Sequence, residues 1–266
     1  MGSPRGGTIG GGSILTFKYN DISSKWDQYG NVIQGLAGGD ATGYSLSLSD
    51  TGSTMVVGSP RVVNLEGARN AGKITMYAMD EWEWQVVGQT VYGEAEGDMD
   101  GTSVALSPDG SVVVVGGKGH SQINAATSEL MLKSNGHCRV YIFQGGEWKL
   151  EHTLEGASSE EQLGSSVAVS SDNNIIACGG SYGGINKSGV VRLWNRETLE
   201  ESTIWPQGTE ADAEGSLFGS SIAISMDGEC VTIGAPAWGF VNGGPSTSGA
   251  IQIFRDTYNR SSSPIT

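Results

Sequence analysis

The sequence predicts an all-β fold, a β-propeller of four-stranded antiparallel blades, and three observations carry that expectation. A glycine-opened segment recurs along the chain, a second glycine follows each opening one at constant spacing, and helical periodicity is absent throughout. Glycine fills 42 of 266 positions, more than twice the usual share of about 7%. Each interior glycine costs a helix roughly 1 kcal/mol, so this chain is expected to turn often and to build strands.

The first strand of each unit reads Gly43-Tyr-Ser-Leu-Ser-Leu-Ser49, Gly101-Thr-Ser-Val-Ala-Leu-Ser107, Gly164-Ser-Ser-Val-Ala-Val-Ser170 and Gly219-Ser-Ser-Ile-Ala-Ile-Ser225. Alternation of small and apolar residues gives two unlike faces. Ser45, Ser103, Ser166 and Ser221, followed by Ser47, Ala105, Ala168 and Ala223, form the small face, suited to a crowded axis. Leu46, Val104, Val167 and Ile222 form the other, placed to pack on a neighbouring blade. Nine residues into each unit stands Gly52, Gly110, Asn173 or Gly228, residue types that tolerate the left-handed region a hairpin turn requires. The second strand ends at Gly58, Gly116, Gly179 and Gly234, 15 residues after the opening glycine in every case.

The third strand reads Gly72-Lys-Ile-Thr-Met-Tyr77, Gly136-His-Cys-Arg-Val-Tyr141, Gly189-Val-Val-Arg-Leu-Trp194 and Gly249-Ala-Ile-Gln-Ile-Phe254. The fourth carries Trp84 or Trp148 and ends at Gly93, Gly156 or Gly208. Trp26, Trp82, Trp84 and Trp148 are expected to be packing residues, since they recur by repeat position. Blades begin at 43, 101, 164 and 219, and such a four-strand unit repeated is the sequence sign of a propeller. Gly12-Ser-Ile-Leu-Thr-Phe17 matches a third strand and residues 26–35 a fourth, so 12–42 is a half blade. About five blades result, three complete (43–100, 101–163, 164–218), the last ending after three strands within 12–256. Residues 1–11 are expected to be a flexible segment and 257–266 a polar tail.

Phe218-Gly219 through Gly234-Ala235-Pro236 spells a pattern that resembles the FG-GAP repeat of integrin α-chain propellers and of secreted microbial and algal proteins. Gly58-Ser-Pro60 is a close variant, Gly116-Gly and Gly179-Gly are looser, and Trp84-Gln-Val-Val-Gly-Gln-Thr-Val-Tyr-Gly-Glu94 matches the repeat's tail. The resemblance spans roughly residues 12–256 and implies a propeller for adhesion or ligand binding, extracellular or at a cell surface. One departure is clear. Integrin-type repeats hold calcium in an Asp-x-Asp-x-Asp-Gly hairpin, where this chain has only Asp109-Gly or Asp227-Gly. One carboxylate cannot supply the six to eight oxygens calcium takes, so these aspartates are read as turn formers.

The charge balance, 29 acidic against 15 basic residues for a net of -14, argues against nucleic acid, whose phosphates an acidic surface repels. No apolar run reaches the roughly 20 residues of a membrane helix, so membrane insertion is not expected. The first twelve residues lack the apolar core of a signal peptide. Cys138, Cys178 and Cys230 have no metal-type spacing and are expected to be buried free thiols. Asn186-Lys-Ser188 and Asn259-Arg-Ser261 fit the glycan acceptor pattern.

Ligand chemistry is expected on the face that gathers the loops between strands 2 and 3 and the crossings between blades. Two crossings are rich in carboxylates: Glu94, Glu96, Asp98 and Asp100 in one, Glu210, Asp212 and Glu214 in the other. Alternating carboxylates before a glycine can curl around Ca2+; the alternative is a solvated acidic loop. Trp238, Phe240 and Tyr182 are loop aromatics able to stack on a ligand or to plug a blade end, and His120 is the histidine in that loop set. No serine-hydrolase elbow, phosphate loop or dinucleotide fingerprint occurs, and no catalytic residue is assigned. The sequence is thus read as a non-catalytic recognition or adhesion module for a protein or glycan, with calcium assisting. Strand exchange between incomplete end blades, giving self-association, is one alternative, and a propeller hydrolase is another.

Overall fold

The computed structural model describes residues 1–7, 9–124, 126–208, 213–239 and 249–255. Strands dominate: five antiparallel sheets of three to five strands follow one another in chain order, with two separate two-stranded hairpins. No described helix is long and apolar enough to cross a membrane.

The second sheet comprises Ser45–Leu48, Thr54–Ser59 and Lys73–Asp80, with the fourth strand broken into Glu83–Val86 and Val91–Tyr92. The third comprises Ser103–Leu106, Val112–Gly117, His137–Gln144 and Glu147–Glu155, and the fourth Leu163–Val169, Ile175–Gly180, Val190–Asn195 and Glu200–Ile204. The fifth has Ser221–Ile224, Cys230–Ala235 and Ala250–Arg255. The expected turn residues all lie in the left-handed region, with φ of 66° at Gly52, 76° at Gly110, 65° at Asn173 and 71° at Gly228. Asp109 and Asp227 are turn formers: each accepts a bond of 2.6 Å from the hydroxyl two residues before it, Ser107 or Ser225.

The first sheet differs from expectation. Gly2–Ser3 is a strand paired with Ser13–Ile14, which pairs in turn with Ile33–Gln34. Residues 1–11 are therefore not simply a flexible segment. Gly2-Ser-Pro4 repeats Gly58-Ser-Pro60, and it occupies the end of a second strand.

Each sheet packs on the next through its own core. Ile14 and Ile33 meet Met55 and Val57; Val56, Ile74 and Met76 meet Leu106, Val113, Val115 and Tyr141. Val114, Cys138, Val140 and Leu154 meet Leu163, Ile176, Cys178 and Trp194; Ala177 and Val191 meet Phe218, Val231 and Ile233. First strands run side by side, Ser45–Leu48 against Ser103–Leu106, then Leu163–Val169, then Ser221–Ile224. Among these clusters of described residues none joins the fifth sheet to the first.

Glycine and serine fix the junctions. Ser45, Ser103 and Ser166 donate from Oγ to the carbonyls of Gly101, Gly164 and Gly219, at 2.8, 2.8 and 2.7 Å. Beside each hydroxyl the second-strand glycine lets that same carbonyl approach: a Cβ on Gly58, Gly116 or Gly179 would stand 2.2, 2.1 or 2.0 Å from it. Gly2 sits likewise against the Gly43 carbonyl. The small face thus binds the following sheet's backbone, and the apolar face packs on the preceding sheet.

Cys138 and Cys178 correct the free-thiol expectation. They form a disulfide between the third and fourth sheets, with Cα atoms 6.4 Å apart, and Cys230 is the free cysteine among the described residues. Trp84 and Trp148 are packing residues, each buried against the preceding sheet, where Trp84 Nε1 donates to Thr16 Oγ1 at 2.8 Å. Trp26 and Trp82 are exposed instead. Trp26 lies in the separate hairpin of Phe17–Asn20 and Lys25–Gln28, its ring edge-on to Tyr19, and Trp82 sits at a hairpin tip with its ring edge-on to Tyr29.

Candidate functional site

Crossings between sheets are shaped by an acid three residues before the opening glycine. Asp40 accepts from the Ala37 N–H, Asp98 from those of Glu94 and Ala95, and Glu161 from those of Ala157 and Ser158. These carboxylates cap the bend that returns the chain to the next first strand. Arg139 and Arg192, each three residues after a third-strand glycine, reach up to the acids of these crossings. Arg139 pairs with Asp100 at 3.3 Å and Glu94 at 2.8 Å, and Arg192 with Glu161 at 3.0 Å.

At the second crossing this pairing grows into a buried network. His137 Nε2 lies 2.6 Å from Asp100 Oδ1, and His120 Nδ1 lies 2.9 Å from Asp98 Oδ1. The two imidazoles lie 4.4 Å apart between centroids, tilted by 37°. Gly117 makes the room, since a Cβ there would stand 2.1 Å from Asp100 Oδ1. Burial opposes the charge on Asp98, but bonds from His120 and the Ala95 N–H outweigh it and lower its pKa. Burial likewise opposes the charge on Arg139, while Asp100, Tyr141 and Glu94 raise its pKa. Burial pushes the Tyr141 phenol up to about 12.

Three of the acidic residues expected to hold calcium are thus engaged by other partners. Asp98 and Asp100 spend their oxygens on histidine, arginine and backbone partners, Glu94 is tied to Arg139, and Glu96 is exposed. Among the described residues no group of three or more His, Cys, Asp or Glu side chains is placed to hold a metal ion. Glu214 is exposed, and Glu210 and Asp212 lie outside the described residues.

One crossing over, an Arg–acid pair borders a pocket. A cavity of about 730 Å³ opens beside the Arg192–Glu161 pair. Gly184, Ile185, Asn186 and Ser188 of the loop between strands 2 and 3 line one side, Trp205, Pro206, Gly208 and Ala213 of the next crossing the other. Trp205 is 51% exposed and Ile185 also stands open, while the Glu161 carboxylate is buried. The pocket therefore joins apolar wall, charged floor and hydroxyl and amide groups, within the roughly 300–1,000 Å³ common for small-ligand sites.

The aromatics singled out in the sequence are placed differently. Trp238 packs on the core between the fourth and fifth sheets, its ring over Gly208, which is the plug alternative. Tyr182 is exposed with Lys187 Nζ 6.0 Å from its ring centroid, His120 belongs to the buried network, and Phe240 lies outside the described residues. Trp205 and Arg192 are residues that sequence reading passed over. The signal for Arg192 was positional: it matches Arg139, as Glu161 matches Asp98 and Asp40.

The chain matches no model of a known protein family and no curated protein.

Proposed function

We propose that the chain is a propeller-type recognition module of the FG-GAP kind, whose binding face is the set of crossings and loops around Trp205. The observation that carries this reading is the 730 Å³ pocket at that face. An open indole ring beside Ile185, with Ser158, Asn186 and Arg192 in reach, offers a stacking surface plus hydrogen-bonding groups, the combination that binds one sugar unit of a glycan. Rigid support comes from the sheets: Arg192 is held by a buried carboxylate, so its free N–H groups are oriented before a ligand arrives. Calcium has no part in this reading, because the carboxylates nearest the face are engaged internally.

The ring-like arrangement is supported by junctions of one geometry repeated from sheet to sheet. A disulfide between two of the sheets favours an oxidising, extracellular setting. Glycan-array binding followed by titration of Trp fluorescence tests the proposal. Trp205→Ala should weaken binding at least tenfold, about 1.4 kcal/mol, and leave the melting temperature unchanged. An array without binding, or a variant that binds like the parent, would refute it.

A further inference from the structure

The last sheet carries the donor half of a junction that the other sheets use and that has no acceptor among the described residues. In the first four sheets the third strand opens with a glycine against the carbonyl of the residue before the next opening glycine. A Cβ on Gly12, Gly72, Gly136 or Gly189 would stand 2.2, 2.2, 2.2 or 2.0 Å from the carbonyl oxygens of Thr42, Asp100, Leu163 and Phe218. The same pairs form parallel bridges. Together with the serine hydroxyl and the second-strand glycine, this makes a three-point socket for the backbone of an X–Gly dipeptide.

Gly249, Ser221 and Gly234 hold the same three positions in the fifth sheet. A Cβ on Gly234 would meet only atoms of Ser221, and one on Gly249 comes no nearer than 3.3 Å to a backbone atom, the Pro236 carbonyl of the same sheet. A cavity of about 560 Å³ lies there instead, lined by Ser221, Gly234, Pro236, Gly249 and Ile251. The apolar part of the junction is equally bare. Ile251 and Ile253 are 72% and 70% exposed, whereas Ile74 and Met76 at the matching positions are 1% and 0% exposed.

We infer that this face is a docking site for the opening hairpin of a further repeat, a segment of the form X-Gly-small-Ser-apolar-small-apolar-Ser. The Gly carbonyl of that segment accepts from Ser221 Oγ and lies over Gly234, the carbonyl of X lies over Gly249, and the apolar side chains cover Ile251 and Ile253. The occupant is defined by the three complete sockets already filled, since this one continues them. The first sheet of a second copy is a poorer fit: it begins with Gly2–Ser3 as its edge strand and contains no such first strand.

A synthetic peptide with the sequence of residues 216–235, fluorescently labelled and titrated with the full chain, tests the inference. Saturable binding is expected below about 1 mM, the weak end of specific association. Binding should fall at least tenfold for the chain carrying Ile251→Asp and Ile253→Asp, exposed positions whose replacement leaves the fold intact by circular dichroism. It should fall equally for a peptide carrying Gly219→Val, which cannot present its carbonyl in the left-handed conformation that the opening glycines adopt (φ 88° at Gly219). Absence of saturation, or binding indifferent to both changes, would overturn the assignment. Dimerisation of the chain alone that the isoleucine changes abolish would give the face to a second copy and overturn it equally.

Discussion

Replacing Gly116 by alanine should damage the chain far more than the same change at Gly234, although both residues end a second strand and neither has a positive φ. At Gly116 the new methyl would lie 2.1 Å from the Gly164 carbonyl oxygen and 2.8 Å from its carbon. The third and fourth sheets must then separate by about 1 Å, an overpacking that costs roughly 1–3 kcal/mol. Such a shift also breaks the bond from Ser103 Oγ to the same carbonyl, worth about 1 kcal/mol. The expected loss is therefore about 2–4 kcal/mol. At Gly234 the methyl's one close contact is Ser221 Oγ at 2.3 Å, with the Ser221 carbonyl oxygen at an ordinary 3.8 Å; the hydroxyl can rotate away, and lowered unfolded-state entropy contributes about 0.4–1 kcal/mol in the opposite direction. Gly234→Ala should fall within about 1 kcal/mol of the parent in a urea titration with unchanged slope. Equal midpoints for the two variants would refute the notch as the element that sets sheet spacing.

Two further outcomes are expected. Alkylation under denaturing, non-reducing conditions should add one label per chain, at Cys230, and reduction should destabilise the fold by up to about 4 kcal/mol for the 40-residue separation of Cys138 and Cys178; three labels without reductant would disprove the disulfide. Asp109 is held at about 2, because bonds from Ser107, Ser111 and Asn173 outweigh the opposing effect of burial. Its folded pKa is thus depressed, so its contribution is complete above the ordinary 3.8 and is lost as pH falls towards 2. Asp109→Asn should flatten the acid limb of the stability profile between about pH 4 and 2, and an unchanged limb would show that the turn does not bind the carboxylate.

Much of the local structure was legible because it is local. Alternation over seven residues and a glycine or asparagine at the turn dictate a hairpin without any help from the rest of the chain, and the hairpins lie where the repeat placed them. Asp98 was visible as one of a run of carboxylates, but the pattern it belongs to, an acid three residues before Gly43, Gly101 and Gly164, was not noticed. Asp98 looks like a calcium ligand in a run of alternating carboxylates, yet its oxygens accept the N–H groups of its own bend, as Asp40 and Glu161 do in runs without that alternation. The edge strand of the first sheet was missed for a different reason: three residues, Gly2-Ser-Pro4, are too few to register as a repeat until a strand is seen pairing with them.

The sequence by itself determined the strands, the turns and the small and apolar faces, since each depends on residues within a hairpin. Tertiary structure alone decided what those faces meet. Arg192 and Glu161 are 31 residues apart and Cys138 and Cys178 are 40 apart, and no local pattern marks either pair. They come together because one sheet lies on the next at a distance set by a serine hydroxyl and a glycine notch. Trp205 stands open above that charged floor, and among the described residues Ser221 has no carbonyl like those that Ser45, Ser103 and Ser166 bind, because each such bond needs the backbone of another sheet.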